Sequence, residues 1–331
     1  MEKILVTGAT GFLGNYLIKQ LLADGYEVFA LGRNEKAGKK LEGFGAKFCK
    51  ADFTDKESCE PYFKGVDYVI HAGALSTVWG TWEDFYQINV EGTRNVCELC
   101  LEYKVKRMVY ISSPSIYSGK EHRLNIKETE YDPNNELNYY IKSKILSEQV
   151  IREFHSNGLY TVVIRPRGLF GIGDTSLIPR ILKANRKIGI PLFNKGKNYV
   201  DITCVENVAY AISLCVKAEE INGEVFNITN GEPMLFCDIL KKFMDTIKEK
   251  PKYLKLPFGL VYGMASFLEL IYRSFKKQGE PPLTKYTVCT LAFSQTLDIS
   301  KARKRLGYEP KMTIEEGIRV YGEWWKEHNK G

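Results

Sequence analysis

The sequence predicts an α/β protein with a doubly wound parallel sheet and a smaller C-terminal α/β domain. Short β-rich runs alternate with helical patterns through the first half of the chain, which has 331 residues. Strand, helix and strand repeated in this way imply a parallel sheet with helices on both faces. Glycine and proline become frequent over residues 166–200, so the pattern changes there and a second domain is expected.

Each element follows from its local pattern. Runs rich in β-branched and aromatic residues predict strands at 3–7, 26–31, 46–50, 67–71, 106–112 and 160–164. Between them, helices are predicted near 12–23, 55–63, 84–103 and 137–157. A further helix near 205–218 and a strand at 224–228 follow the change of pattern.

Three glycines lie where the first strand turns into the first helix, directly after Ile4-Leu5-Val6. Gly8 permits a tight turn, Gly11 lets a pyrophosphate approach backbone N–H groups, and Gly14 lets the helix pack closely. The spacing is G-x-x-G-x-x-G, and such a trio is informative because of its position between strand and helix. The residues expected to contact a dinucleotide here are Gly8, Thr10, Gly11, Phe12, Leu13 and Gly14.

This glycine turn makes the predicted fold a Rossmann type. We expect a dinucleotide-binding domain formed by residues 1–166 and 201–228. Residues 167–200 and 229–331 are expected to form the substrate domain.

Charge and the amino terminus limit the class of protein. The net charge is +7 at pH 7, and lysines and arginines are scattered rather than gathered in a stripe, so nucleic acid is not an expected partner. The chain does not begin like a signal peptide, because Gly8 and Thr10 interrupt its apolar start. A cytoplasmic enzyme that acts on a small molecule is therefore predicted.

The cysteines do not predict a metal site. The chain has 8 cysteines without an export signal, which favours reduced thiols. Only Cys97 and Cys100 form a C-x-x-C pattern, and the four histidines show no matching spacing that would complete a zinc site. We interpret the pair as buried helix cysteines and expect no metal.

Residues after each strand are candidates for ligand binding, because ligands lie outside the carboxyl ends of parallel strands. After the second strand, Gly32 leaves room and Arg33 can pair with a 2′-phosphate, which favours NADP(H) over the possible NAD(H). A solvated surface charge is the alternative interpretation of Arg33. Near the adenine and along the cofactor backbone we expect Asp52, Phe53, His71, Ala72 and Gly73.

The catalytic hypothesis rests on a strand-end serine and a tyrosine-lysine pair. Tyr140 and Lys144 are four residues apart and share one helix face. An ammonium near a phenol lowers a pKa that is ordinarily about 10, which would let Tyr140 exchange a proton near neutrality. Ser113 follows the fifth strand, and its hydroxyl can hydrogen-bond the same substrate oxygen. Any helix can carry the tyrosine-lysine pair alone, so the hypothesis depends on the combination with the glycine turn.

The chain resembles the extended branch of the short-chain dehydrogenase/reductase superfamily over nearly its whole length. The matching segments are Thr7 to Gly14, Asp52, His71-Ala72-Gly73, Asn89 to Thr93, Ser112-Ser113 with Tyr117, Tyr140 with Lys144, and Arg165 to Gly171. Later segments resemble the 3β-hydroxysteroid dehydrogenase-type subfamily, namely Asn198 to Asp201, Val205 to Ala209, Pro281 to Thr284, and Ala302 with Leu306 to Pro310.

This resemblance implies roles for individual residues. Ser113 would polarise a carbonyl, Tyr140 would exchange the proton, and Lys144 would tune Tyr140 and hold the nicotinamide ribose. Further cofactor contacts are implied for Asn89, Ser112, Pro166 and Gly168. Substrate contacts are implied for Ser115, Tyr117 and Arg167. The resemblance also implies a homodimer.

The reaction expected is interconversion of a secondary alcohol and a ketone. Dehydratases of this branch carry an Asp-Glu pair where this sequence has Pro114-Ser115, so the extra carboxylate that removes a proton is missing. A nucleotide-sugar epimerase or reductase is one alternative, for which a basic helix would bind the diphosphate through Arg180, Lys183, Arg186 and Lys187. A dinucleotide sensor without catalysis is the other.

The most apolar segment runs from Leu256 to Tyr272 and is followed by Arg273, Lys276 and Lys277. With Pro257 near its start and Glu269 inside, it is short for a bilayer span. Packing within the substrate domain is one interpretation, and contact of residues 256–277 with a membrane surface is the other. In either case the segment supplies an apolar wall, which favours a steroid-like or alkyl substrate.

Overall fold

A seven-stranded parallel sheet forms the centre of the computed structural model, which describes residues 1–275, 277 and 279–328. The strands are β1 (Lys3–Thr7), β2 (Glu27–Gly32), β3 (Lys47–Lys50), β4 (Tyr68–His71), β5 (Arg107–Ile111), β6 (Arg123–Ile126), β7 (Thr161–Pro166), β8 (Leu169–Phe170), β9 (Ile190–Leu192), β10 (Tyr199–Val200), β11 (Thr203–Cys204), β12 (Val225–Ile228), β13 (Met234–Leu235), β14 (Tyr253–Lys255) and β15 (Gln295–Leu297). The order in the large sheet is β12-β7-β5-β4-β1-β2-β3. The predicted doubly wound fold is confirmed.

Helices cover both faces of this sheet, and others belong to the smaller part of the molecule. The helices in the described residues are α1 (Phe12–Ala23), α2 (Glu35–Glu42), α3 (Lys56–Cys59), α4 (Trp82–Phe85), α5 (Gly92–Glu102), α6 (Tyr139–Ser156), α7 (Leu177–Lys187), α8 (Val205–Lys217), α9 (Phe236–Ile247), α10 (Phe258–Ser274), α11 (Lys285–Ala292), α12 (Ser300–Leu306) and α13 (Ile314–His328). The predicted helix over 84–103 is interrupted, because a π-helical stretch at Tyr86–Glu91 joins α4 to α5.

The core follows from the alternation of side chains along each buried strand. In β1, Ile4 and Val6 pack on the face covered by α1 and α8, whereas Leu5 packs on the face covered by α5 and α6. All three side chains are buried, and they face opposite layers because successive residues of a strand point to opposite sides. The sheet is therefore apolar on both faces, and ligands can reach it only at the strand ends.

The smaller part of the molecule is built around a mixed sheet in the order β13-β10-β15-β6. Strand β10 runs antiparallel to β13 and parallel to β15, which runs parallel to β6. Helices α7, α9 and α13 enclose a separate apolar cluster beside it.

The two parts interleave more finely than the predicted domain division. Strand β6 lies within residues 1–166 but pairs with β15 of the smaller sheet. Helix α12 lies within residues 229–331 but packs its Ala302 and Leu306 into the core of the large sheet. The chain therefore crosses between the parts at both elements.

Candidate active site

The glycine turn after β1 has the geometry of a phosphate site. Gly8 has φ +69°, and a Cβ there would lie 2.6 Å from the Gly73 Cα. A Cβ on Gly14 would lie 2.2 Å from the Ala9 carbonyl oxygen, so α1 packs too closely for a side chain. Gly11 caps α1, no side chain occupies the cap, and the first turn of α1 has no acidic residue. These N–H groups and the helix dipole fit a pyrophosphate.

The remaining residues of the turn support its shape. A Cβ on Gly32 would lie 3.0 Å from the Thr10 Cγ2, so the ends of β1 and β2 approach closely. The Phe12 ring packs edge-on against Tyr16, with 5.8 Å between centroids. Leu13 packs partly buried against the core of the sheet.

Arg33 and Asp52 form an ion pair at the ends of β2 and β3. The Arg33 Nη1 lies 3.2 Å from the Asp52 Oδ2, and the Arg33 side chain is 74% exposed. Partial burial raises the pKa of Asp52, but hydrogen bonds from Thr54 and the charge of Arg33 outweigh it and hold that pKa below its usual value. The exposed guanidinium leaves Arg33 accessible to a ligand.

Phe53, Ala72 and Gly73 form the surface next to the Arg33–Asp52 ion pair. A Cβ on Gly73 or on Gly92 would lie 2.6 Å from the Phe53 ring, so both glycines make room for that ring. The Ala72 N–H donates to the Thr7 carbonyl at 3.2 Å, which ties the end of β4 to β1. Phe53 is therefore a packing residue between two glycines.

The His71 side chain is engaged within the protein, and the expected contact of residues 71–73 with a cofactor backbone stays a prediction. Its Nδ1 lies 2.6 Å from the Thr7 Oγ1, its Nε2 lies 3.0 Å from the Thr93 Oγ1, and the residue is fully buried. Burial, together with the positive charge of Lys144, lowers the pKa of His71 to about 3. The ring is neutral and links β1 to α5, so only its backbone is free to contact a cofactor.

Asn89 is buried in the π-helical stretch and ties three segments together. Its Oδ1 accepts from the Leu75 N–H at 2.7 Å, and its Nδ2 donates to the Leu75 carbonyl and to the Ser143 Oγ. Asn89 thereby fixes the loop after β4 against α6, which carries Tyr140 and Lys144.

Ser113 and Tyr140 meet at the carboxyl end of β5. The side chain of Asn138 accepts from the Ile141 N–H at 2.8 Å and starts α6, which places Tyr140 in the first turn. Burial raises the pKa of Tyr140, and the nearby Ser113 side chain partly lowers it. Ser115 is buried and its Oγ lies 2.9 Å from the Ser113 Oγ, so it positions Ser113, and its expected substrate contact stays a prediction.

Lys144 lies one helical turn after Tyr140 but bonds elsewhere. Its Nζ donates to the Tyr110 hydroxyl at 2.6 Å and to the Ile111 carbonyl at 2.8 Å. Burial lowers the pKa of Lys144 to about 7, although Glu148 opposes this effect. Burial raises the pKa of Tyr140 to about 12, so the expected lowering by Lys144 is absent from this geometry because the ammonium bonds Tyr110.

A buried network behind the site fixes the ends of β5 and β7. Arg165 donates to both carboxylate oxygens of Glu148, at 2.8 and 2.6 Å, and Ser112 donates to the same carboxylate at 2.5 Å. The Tyr117 hydroxyl accepts from Arg165 at 2.5 Å and donates to the Asn227 Oδ1 at 2.8 Å. The Tyr117 hydroxyl is therefore buried and engaged within the protein, and its expected substrate contact stays a prediction. Ser112 likewise directs its side chain to Glu148 and not to a cofactor.

The segment after β7 turns toward the smaller sheet. Pro166 pairs with Ile228 of β12, and Gly168 has φ +57°. A Cβ on Gly168 would lie 2.8 Å from the Asp201 carbonyl oxygen, so the turn requires glycine. Arg167 between them is buried, and it interacts electrostatically with Tyr286 and Asp201.

Helices α10 and α11 cover the site from the smaller part. Tyr286 of α11 interacts electrostatically with Tyr140. Arg273 of α10 stacks over the rings of Tyr139 at 4.6 Å and Trp79 at 5.4 Å. The cover therefore includes aromatic side chains near Tyr139 and Tyr140.

Sequence reasoning missed Tyr110, Glu148, Trp79 and Tyr286. Glu148 had a detectable signal, since it follows Lys144 by four residues on the same helix. Trp79 and Tyr286 had none, because only the folded chain brings Trp79 to Arg273 and Tyr286 into the surroundings of Tyr140.

Fold and site together define a class. A glycine turn at the first strand of a doubly wound sheet, with a serine, a tyrosine and a lysine at a neighbouring strand end, defines a dinucleotide-dependent oxidoreductase. The model of the NAD dependent epimerase/dehydratase family matches residues 4–229. The chain belongs to this family, and the resemblance stated from sequence is confirmed.

Relatives of similar length agree with this class. The chain is 36% identical to the uncharacterized protein YbjS of Escherichia coli (strain K12), with 99% of each chain covered. It is 31% identical to a 2-alkyl-3-oxoalkanoate reductase of Stenotrophomonas maltophilia, covering 96% of this chain and 97% of the relative. It is also 31% identical to a decarboxylating sterol-4-alpha-carboxylate 3-dehydrogenase of Dictyostelium discoideum, covering 96% and 99%.

Solved structures share the fold. The crystal structure of gox2253 has a TM-score of 0.80 at 25% identity, with 99% of both chains covered. The UDP-glucuronic acid 4-epimerase of Bacillus cereus in complex with NAD has a TM-score of 0.75 at 21% identity, covering 98% of this chain and 99% of the other. The second similarity shows the fold alone.

Proposed function

We propose that this enzyme interconverts a secondary alcohol and a ketone on a largely apolar, steroid-like or alkyl 3-oxo/3-hydroxy substrate. One observation carries the proposal. The Ser113 side chain, directly after β5, lies near the Tyr140 phenol, and Lys144 follows Tyr140 by one turn of α6. Secondary alcohol chemistry requires a proton donor and acceptor, a group that polarises the carbonyl and a nearby positive charge.

Each residue has a defined part in carbonyl reduction. A bound nicotinamide supplies the hydride for reduction or accepts it in oxidation. Tyr140 donates its hydroxyl proton to the carbonyl oxygen, and Ser113 donates a hydrogen bond to the same oxygen. Lys144 favours the phenolate once its Nζ turns from Tyr110 toward Tyr140 and the ribose, since a nearby ammonium stabilises the anion. Oxidation reverses the proton transfer.

The apolar substrate is favoured over a nucleotide sugar by two observations. The relatives named above act on 2-alkyl-3-oxoalkanoates and on sterol carboxylates, according to their names. Two of the basic residues of α7 are already paired, since Arg180 lies 2.9 Å from Glu280 and Arg186 lies 2.5 Å from Glu249. These ion pairs weaken the case for a diphosphate site on α7.

We propose NADP(H) as the preferred cofactor and NAD(H) as a possible one. Family membership establishes dependence on NAD-type dinucleotides. The exposed Arg33 guanidinium at the end of β2 supports preference for a 2′-phosphate. The residues proposed to hold the remainder of the cofactor include the glycine turn, the backbone of 71–73, Asn89, Pro166 and Gly168.

The test is binding followed by turnover. Nicotinamide fluorescence on titration with NADPH and NADH measures cofactor binding. Nicotinamide absorbance then reports turnover of alkyl 3-oxo acids and sterol ketones, and chromatography of the sugar nucleotides reports conversion of UDP-glucose. We expect reduction of an apolar ketone. Epimerisation of UDP-glucose without net oxidation would support an epimerase, and binding without any turnover would support a sensor. Sedimentation velocity on the same sample tests the homodimer, which we also propose.

A further inference from the structure

Arg167 is a buried cation without a partner among the described residues. The residue is 8% exposed, its Nε has no hydrogen-bond partner, and it makes no ion pair with a described carboxylate. Burying an unpaired charge is costly, so such groups in folded proteins are paired or bind a ligand. The arrangement indicates a place for an anion.

The backbone places Arg167 beside the catalytic serine. Strands β5 and β7 are parallel neighbours with Ile111 opposite Ile164, which sets Ser113 opposite Pro166 and Arg167 one residue further. Neighbouring strands are about 5 Å apart. Tyr286 interacts electrostatically with both Arg167 and Tyr140. An anionic group bound to Arg167 would therefore be only a few covalent bonds away from a substrate carbonyl that is hydrogen-bonded to the Ser113 side chain.

The surroundings of Arg167 favour a single negative charge. Asp201 interacts electrostatically with Arg167 but forms no ion pair with its guanidinium. The Asp201 Oδ2 instead accepts a hydrogen bond from the Leu297 N–H at 2.7 Å. Asn198, three residues before Asp201, is fully buried, and both polar atoms of its side chain lack a partner. A diphosphate would bring a second charge close to Asp201, whereas one carboxylate matches one guanidinium.

We propose that Arg167 binds a substrate carboxylate close to the reacting carbon, so that the substrate is a 3-hydroxy or 3-oxo acid. This inference rests on the proposed function and makes its substrate class specific. The carboxylate pairs with the guanidinium. The carbon chain then extends beneath α10 and α11.

The test compares an alkyl 3-oxo acid with its methyl ester, which differ only in the charge that Arg167 would bind. We expect the wild-type enzyme to favour the acid by about 100-fold in kcat/KM, as for a buried charge pair. In Arg167→Met the acid-to-ester ratio should fall by about the same factor, and Arg167→Lys should recover part of it. NADPH affinity and melting temperature verify folding.

The outcomes separate this inference from the proposed function. If the wild type reduces acid and ester equally, or if Arg167→Met lowers both equally, Arg167 does not bind a carboxylate although the oxidoreductase proposal stands. If neither compound is reduced while UDP-glucose is converted, both proposals fail.

A different observation concerns the outer face of α10. Large apolar side chains are exposed there at helical spacing, with exposed fractions of 58%, 52%, 64%, 61% and 74%. They are Leu260, Met264, Phe267, Leu270 and Phe275. Val261, Ala265 and Glu269 form the opposite, buried face. The helix is therefore held by one face while the other presents apolar side chains to its surroundings.

The charges around this face favour an anionic surface. Glu269 is the one acidic residue of α10, and it is buried and bonded to the Lys285 N–H at 2.7 Å. Lys255, Arg273 and Lys277 are exposed at the two ends of the helix, while Lys276 lies outside the described residues. Pairing with a second copy through the same face would bring these basic groups together.

We infer that the outer face of α10 docks on an anionic bilayer surface. No helix in the described ranges is long and apolar enough to cross a membrane, so α10 would lie in the interface plane. Arg273 contacts Tyr139 from this helix, so docking places the bilayer next to the cover of the active site. An apolar substrate could then enter without crossing water.

The test is co-sedimentation with vesicles of phosphatidylglycerol and of phosphatidylcholine. Wild type should bind phosphatidylglycerol vesicles at low salt, and Phe267→Asp/Leu270→Asp should bind at least about tenfold more weakly. Ile188→Asp, which alters an equally exposed apolar residue on α7, should bind like the wild type. Equal binding by the wild type and the double variant would overturn the inference. So would a loss of dimer in the double variant without any vesicle effect, which would indicate a second copy on this face.

Discussion

Arg165 and Arg167 are two residues apart and both are buried, but their guanidinium groups differ in whether they have partners. Arg165 donates to Glu148, to the Tyr117 hydroxyl and to the Glu128 carbonyl, so its charge and its N–H groups are satisfied within the protein. Arg167 has no such partner among the described residues. The difference teaches that the network around Arg165 and Glu148 is satisfied within the protein. The surroundings of Arg167, which we call the ligand-facing region, leave a positive charge available to a ligand.

Loss of stability should separate the two arginines most strongly. Arg165→Met removes the bidentate partner of the buried Glu148 carboxylate and leaves it Ser112 and the half-exposed Arg152 at 3.7 Å, so we expect the free energy of unfolding to fall by about 3–5 kcal/mol. Arg167→Met removes a charge without a partner, and its change should stay within about 1 kcal/mol. Chemical denaturation measures both variants.

A double variant sharpens this test. Arg165→Met/Glu148→Leu removes both charges and should recover part of the lost stability, since an apolar pair of similar volume tolerates burial. Equal destabilisation by the two single variants would remove the contrast between the regions.

Tyr140 belongs to the ligand-facing region, so its variant should lose chemistry without losing stability. We expect Tyr140→Phe to lower kcat by about 10²–10⁴-fold, the usual contribution of general acid–base catalysis. Cofactor affinity and melting temperature should change little. Tyr139→Phe is the matched control on the neighbouring position, because it keeps the ring under Arg273. A parallel loss of cofactor binding in Tyr140→Phe would instead make the tyrosine structural.

Arg33 extends the comparison to the surface, where one carboxylate partner and open solvent leave the guanidinium available. We expect Arg33→Ala to weaken NADPH binding by about tenfold or more, as a charge-assisted hydrogen bond is lost, and NADH binding far less. Fluorescence titration measures both affinities, with Lys36→Ala on the adjacent α2 as a control. Equal weakening of the two cofactors would contradict the pairing with a 2′-phosphate.

The sequence predicted the large sheet well because its signals are local. The first strand and the first helix were predicted at their observed bounds, since an apolar run and a glycine turn mark them. Helix α2 was missed because its segment is mostly polar, with Leu41 as its only large buried residue. The π-helical stretch was also missed, because it accommodates the bonds that Asn89 makes to a distant loop.

The site was predicted less completely, because burial and partners depend on distant residues. The family resemblance implied a substrate contact for Tyr117, yet its hydroxyl bonds Asn227, 110 positions away. His71 was expected beside the cofactor backbone, and Thr93 of α5 engages its ring. The strand-end rule selects an edge of the sheet and does not show which way a side chain turns there.

Lys144 lies between the two regions and tests whether burial destabilises its ammonium. Its pKa is lowered to about 7 in the folded protein and is ordinarily about 10.4 in unfolded chains, so the unfolded state binds more protons between these values. Stability should therefore rise with pH from about 7 to 10, with a slope of at most about 1.4 kcal/mol per pH unit. His71 affects stability in a separate pH range, because its pKa of about 3 makes stability rise between about pH 3 and 6.5.

Denaturation at several pH values should show a reduced rise above pH 7 in Lys144→Met and the full rise in Lys142→Met, a partly exposed lysine of the same helix. The same slope in wild type and Lys144→Met would show that the buried ammonium keeps its ordinary pKa, and that its bonds to Tyr110 and Ile111 compensate for burial.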